Sequence, residues 1–139
     1  MVPHRSGIGS LMQWAIDTAL LAGWIGMLLG VTSGAIIGIF FHREDWMGGY
    51  SSFRRRMTRL GHIAFFGIGL LNILFALTIK AHPIAETAAR PAAILFVAAL
   101  ATMSLCCFLT AWKKTPFRHF FFIPVGTSGT AILLLLLNW

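Results

Sequence analysis

The sequence predicts an all-α integral membrane protein, a bundle of four transmembrane helices formed by a single domain over residues 1–139. Three observations carry that prediction. Hydrophobic residues make up 58% of the chain and charged residues only 11%, against about 45–50% and about 25% in ordinary soluble domains. The apolar residues gather into four stretches, each near the roughly 20 residues that a spanning helix needs. The charges fall between those stretches and leave their centres empty. Together these features exclude a soluble enzyme, a disordered tail and a secreted disulfide scaffold.

The first span is expected over about 19–41, with a less apolar lead-in from 11 that contains Gln13 and Asp17. Its apolar part is far longer than the core of a signal peptide and has no A-x-A site at a suitable place, so the span is read as retained. The connection that follows, HREDWMGGYSSFRRRMTR, breaks at Gly48-Gly49 and then offers Ser51 and Ser52 as helix caps. A short interfacial helix is expected from about Phe53, merging into the second span at 60–80. The third span is expected over 92–112, with Pro91 in its first turn, where a missing N–H costs nothing. The fourth is expected over 119–138, kinked by Pro124, which would free the carbonyl of Phe120. Pro83 and Pro116 fall in the connections, and Trp14, Trp46, Trp112 and Trp139 fall near the expected membrane interfaces.

Orientation follows from the basic residues. Arg43, Arg54, Arg55, Arg56, Arg59, Lys113, Lys114 and Arg118 lie on one side of the spans, against Arg5, Lys80 and Arg90 on the other. The positive-inside rule therefore places the 42–59 loop in the cytoplasm and both termini outside, in a bacterial cytoplasmic membrane. The net charge of +7 is accounted for by anionic lipid headgroups rather than by nucleic acid. Arg54, Arg55, Arg56 and Arg59 are the expected headgroup contacts. Placed at the start of a helix, they also oppose its macrodipole, a conflict that lipid phosphates or an acidic partner would relieve.

Within the spans, Gly26, Gly30, Gly34 and Gly38 recur every four residues and predict a close helix–helix contact. That contact is either internal, a homo-oligomer seam or a docking groove for a larger subunit. His42, His62 and His119 begin or end spans on the same side and are candidate ligands for haem b or a metal ion. No His-x-x-x-His, Glu-x-x-His or Cys-x-x-Cys pattern accompanies them. Asn72, Thr127, Ser128 and Thr130 fall in the polar central belt, with Asn72 expected to donate to a neighbouring helix. All four acids lie in loops or near an interface, so a proton-coupled carrier would lack its intramembrane relay. Asp17 is expected beside Lys80, His82 or Arg90. Adjacent Cys106 and Cys107 read as small buried apolar residues.

No standalone catalytic constellation emerges. The leading expectation is a non-catalytic accessory subunit or assembly factor of a larger membrane complex, with energy-converting complexes the first to consider. The alternatives are a small b-type cytochrome or other metal- or quinone-binding redox protein using the three histidines, and a small-solute channel or carrier.

Overall fold

The computed structural model describes residues 7–113 and 118–139; Arg5, Lys114 and Pro116 lie outside them. The described residues form four long helices: α1 (Gly7–Ile39), α2 (Phe53–Ala81), α3 (Glu86–Trp112) and α4 (Phe122–Leu137). Short 3-10 turns occupy Trp46–Gly48 and Arg118–Phe121, and no strand occurs among these residues. All four helical segments are long and apolar enough to cross a membrane, the last counted as His119–Leu137 with its leading turn.

Helix α1 packs on α2 and α3, α2 packs on α3, and α4 packs on α3 alone. The result is a three-helix core with a fourth helix on its flank. Alanine makes the core thin. Ala15 and Ala19 of α1, Ala76 of α2 and Ala88, Ala89, Ala92 and Ala93 of α3 are buried in one cluster with Phe75, Phe96 and Ile79. Small side chains let helix backbones approach, which is how packing attraction is maximised where no hydrophobic drive separates helix from solvent.

The α1–α2 seam is built from glycine. A methyl group added at Gly30 would sit 2.8 Å from the Phe66 ring, and one at Gly34 would sit 2.5 Å from His62 Cε1. Closest of all is the crossing at Gly23, which the four-residue series omits. A methyl there would meet the Gly69 carbonyl oxygen at 2.8 Å and Ile73 Cγ1 at 2.5 Å. Residue numbers rise along α1 as they fall along α2, so the two helices run antiparallel. Gly38, the last of the expected series, has nothing within 4 Å. The seam is internal, and buried Gly23, Gly26 and Gly30 offer no surface to another chain.

Two boundaries, those of α3 and α4, differ from the sequence expectation. Helix α2 runs unbroken from Phe53, because Ser52 caps it by accepting a hydrogen bond from the Arg55 amide at 3.2 Å. Helix α3 starts at Glu86, six residues before 92, so Pro91 lies inside it rather than in its first turn. The Ala-rich segment around Pro91 has high helix propensity, and Glu86 in the first turn suits the positive end of the macrodipole. Apolarity windows pass over that turn because it carries Glu86 and Arg90. Helix α4 begins only at Phe122, so Pro124 occupies its first turn and does not kink it. The N–H that proline lacks is one that would have had no partner in the helix. The Phe120 carbonyl instead receives the thiol of Cys106, at 3.9 Å.

Candidate functional site

The polar chemistry of the chain concentrates at one end, where the α1–α2 connection folds over the start of α2. Met47, Gly48 and Gly49 take positive φ values of 56°, 86° and 96°, which reverse the chain within three residues. Ser52 Oγ donates to the Met47 carbonyl at 2.7 Å. The Thr58 hydroxyl meets Met47 Sδ at 3.4 Å and the Arg54 carbonyl at 3.0 Å. The turn is thereby tied to the first two turns of α2.

Arg55 is the centre of this arrangement. It is 0% exposed, and its Nη2 and Nη1 donate to the carbonyls of Phe41 at 2.7 Å and Arg43 at 3.3 Å. Its guanidinium carbon lies 4.3 Å from the Tyr50 ring centre, 5.3 Å from that of Phe41 and 5.5 Å from that of Trp46. Buried Nε has no acceptor. Phe41 and Arg43 lie just past the end of α1, so Arg55 pins the turn that follows that helix. Arg54 instead brings a cation to the negative end of α3, which lacks a basic residue in its last turn. Its Nε donates to the Ala111 carbonyl at 3.2 Å. Two adjacent arginines at the start of α2 thus hold the end of α3 and the turn after α1. Arg55 is corrected from a headgroup contact to a buried clip. Arg56 is exposed and Arg59 half-buried, with its guanidinium 5.7 Å from the Tyr50 ring centre. Among the described residues no carboxylate pairs with any of these four arginines; Asp45 lies 3.9 Å from Arg43 instead.

The histidines are dispersed by role. His42 and His119 are exposed in turns, whereas His62 is half-buried on the α1-facing side of α2. Its Nδ1 lies 3.2 Å from Ser33 Oγ, and its ring meets Phe66 edge-on at 5.3 Å. Among the described residues, no three His, Cys, Asp or Glu side chains are placed to hold a metal ion. The three histidines are not brought together.

The central belt is equally self-contained. Asn72 Nδ2 donates to the Ile68 carbonyl at 2.9 Å and, across the helix interface, to the Phe96 carbonyl at 3.1 Å. Its buried Oδ1 has no partner. Thr127 donates to the Ile123 and Pro124 carbonyls and Ser128 to the Pro124 carbonyl, while Thr130 is exposed. These hydroxyls turn back on their own helix and do not extend a polar path from Asn72. Asn72→Ala is expected to destabilise the bundle by about 0.6–2 kcal/mol, towards the lower value because the orphaned Oδ1 disappears with the side chain. Unfolding in detergent measures it.

At the other end, Asp17 accepts a hydrogen bond from Gln13 at 2.7 Å and, among the described residues, makes no ion pair with Lys80, His82 or Arg90. Arg90 packs over Trp14 at 5.4 Å, and His82 stacks near Trp139 at 5.4 Å.

Two surface features were not legible in the sequence. An apolar groove of about 250 Å³ runs between α2 and the α4 entry, lined by Leu60, Ile63, Ala64, Gly67 and Phe121 over Met103 of α3. Helix α4 buries only Pro124 and Ala131, and Gly126 and Thr130 lie exposed on its opposite face. Comparison with protein-family models, curated proteins and solved structures finds no match to this chain.

Proposed function

We propose that this protein is a non-catalytic accessory subunit of a larger membrane complex, and that a partner's transmembrane helix docks on the outer face of α4. It would sit in a bacterial cytoplasmic membrane with the 42–59 loop inside, as the basic bias requires. The carrying observation is the exposed Gly126-x-x-x-Thr130 pair. A small-x-x-x-small step lets two backbones approach closely in lipid, where van der Waals contact drives association. Phe122, Val125, Leu133 and Leu137, all more than half exposed, would surround that contact with apolar bulk. Gly23, Gly26 and Gly30 of α1, by contrast, are consumed inside the bundle.

A methyl group at Gly126 would meet nothing within 4 Å, so Gly126→Leu is expected to leave folding intact while displacing the partner. Extraction of native membranes in mild detergent should yield wild-type protein in a stable larger assembly and Gly126→Leu protein alone. A wild-type protein that runs alone, or a Gly126→Leu protein that keeps its assembly, would overturn the proposal.

A further inference from the structure

We infer that the α2–α4 groove is a binding site for one acyl chain of an anionic phospholipid, whose phosphate is held by Arg56. Arg56 lies on the same face of α2 as Leu60, Ile63 and Gly67, at steps of four, seven and eleven residues. It therefore stands one turn beyond Leu60, at the basic mouth of the groove. Arg54 and Arg55 are committed to the carbonyls of Ala111, Phe41 and Arg43. Arg56 is exposed and, among the described residues, has no carboxylate partner. It also sits in the first turn of α2, where the macrodipole adds further positive potential. The uncompensated charge is complementary to a phosphate.

The lining, to which Ile68 also contributes, suits an acyl chain. From Leu60 to Ile68 the groove follows α2 for about 12 Å at 1.5 Å per residue. The named walls are all apolar, and Gly67 leaves the groove open because nothing lies within 4 Å of where its side chain would be. The inference rests on the membrane reading but not on a partner at α4.

Native mass spectrometry of the full-length protein from detergent, loaded with dioleoyl phosphatidylglycerol or dioleoyl phosphatidylcholine, tests it. The wild type should retain the anionic lipid about fivefold better, the effect of one basic residue near an anionic surface. Arg56→Gln should remove that preference while both lipids still bind. Gly67→Leu, which fills the groove, should lower retention of both by at least fivefold, while Gly126→Leu should retain them as the wild type does. Added inorganic phosphate should displace neither, since it lacks the chain. Equal retention of the two lipids by the wild type would overturn the assignment. So would wild-type retention by Gly67→Leu, including the case in which that variant loses a protein partner instead.

Discussion

Arg55→Ala is expected to be the most damaging single substitution in the molecule, costing about 3–5 kcal/mol. Its guanidinium makes two hydrogen bonds to carbonyls of the turn after α1, and bonds to a charged group are worth about 1.5–3 kcal/mol each. Contact with three aromatic rings adds to this, and truncating a fully buried side chain leaves a cavity. The loss should appear as a lowered unfolding temperature in detergent and as faster tryptic cleavage at exposed Arg43 than in the wild type, because the turn that carries it is no longer held. Arg55→Lys should recover only part of the stability, because an ammonium cannot match a planar fork that reaches two carbonyls and stacks on rings. An Arg55→Ala protein that melts with the wild type and is cleaved no faster would remove Arg55 from this role.

The second large effect belongs to the α1–α2 crossing, and there the ranking matters more than any single value. Gly23→Ala and Gly69→Ala both place a methyl against backbone, at 2.8 Å from the Gly69 oxygen and 3.0 Å from the Gly23 oxygen respectively. Backbone cannot rotate away, so each should cost about 1–3 kcal/mol by forcing the helices apart. Gly26→Ala meets chiefly the Leu100 side chain, at 2.9 Å, and a leucine can change rotamer, so its cost should be smaller. Gly38→Ala meets nothing and should be neutral or slightly stabilising, as alanine replaces glycine in a helix. Thermal unfolding of the four variants in one detergent gives the order. A Gly38→Ala protein as unstable as Gly23→Ala would refute the crossing geometry.

The two substitutions show where sequence reasoning stops. The four-residue glycine series points to α1 as a close-packing helix, but it includes Gly38, which meets nothing within 4 Å, and omits Gly23, which makes the closest approach to backbone. Spacing reports that residues share a face; it does not report how far along that face the neighbouring helix stays in contact. The arginines show the same limit differently. Four basic residues at a helix start look interchangeable in sequence, yet Arg54 reaches the end of α3, Arg55 reaches the turn after α1, Arg59 lies beside Tyr50 and Arg56 is left exposed. Successive residues on a helix point about 100° apart, so adjacent positions meet different neighbours. The histidines show it as well: among the described residues they form no group placed to hold a metal ion, since similar depth along the helices does not imply a common facing side.

The sequence by itself determined that there are four apolar helices, roughly where each lies, that Ser51 or Ser52 would cap one of them, and that basic residues gather at one end. These are local properties, set by the transfer free energy and conformational preference of each residue in turn. Only the tertiary structure decided which glycines are spent inside the bundle and which lie open on α4, which arginines are buried, and that a groove separates α2 from α4. Those outcomes depend on the rotation and reach of one helix relative to another, a relation between distant residues that no single stretch of chain encodes.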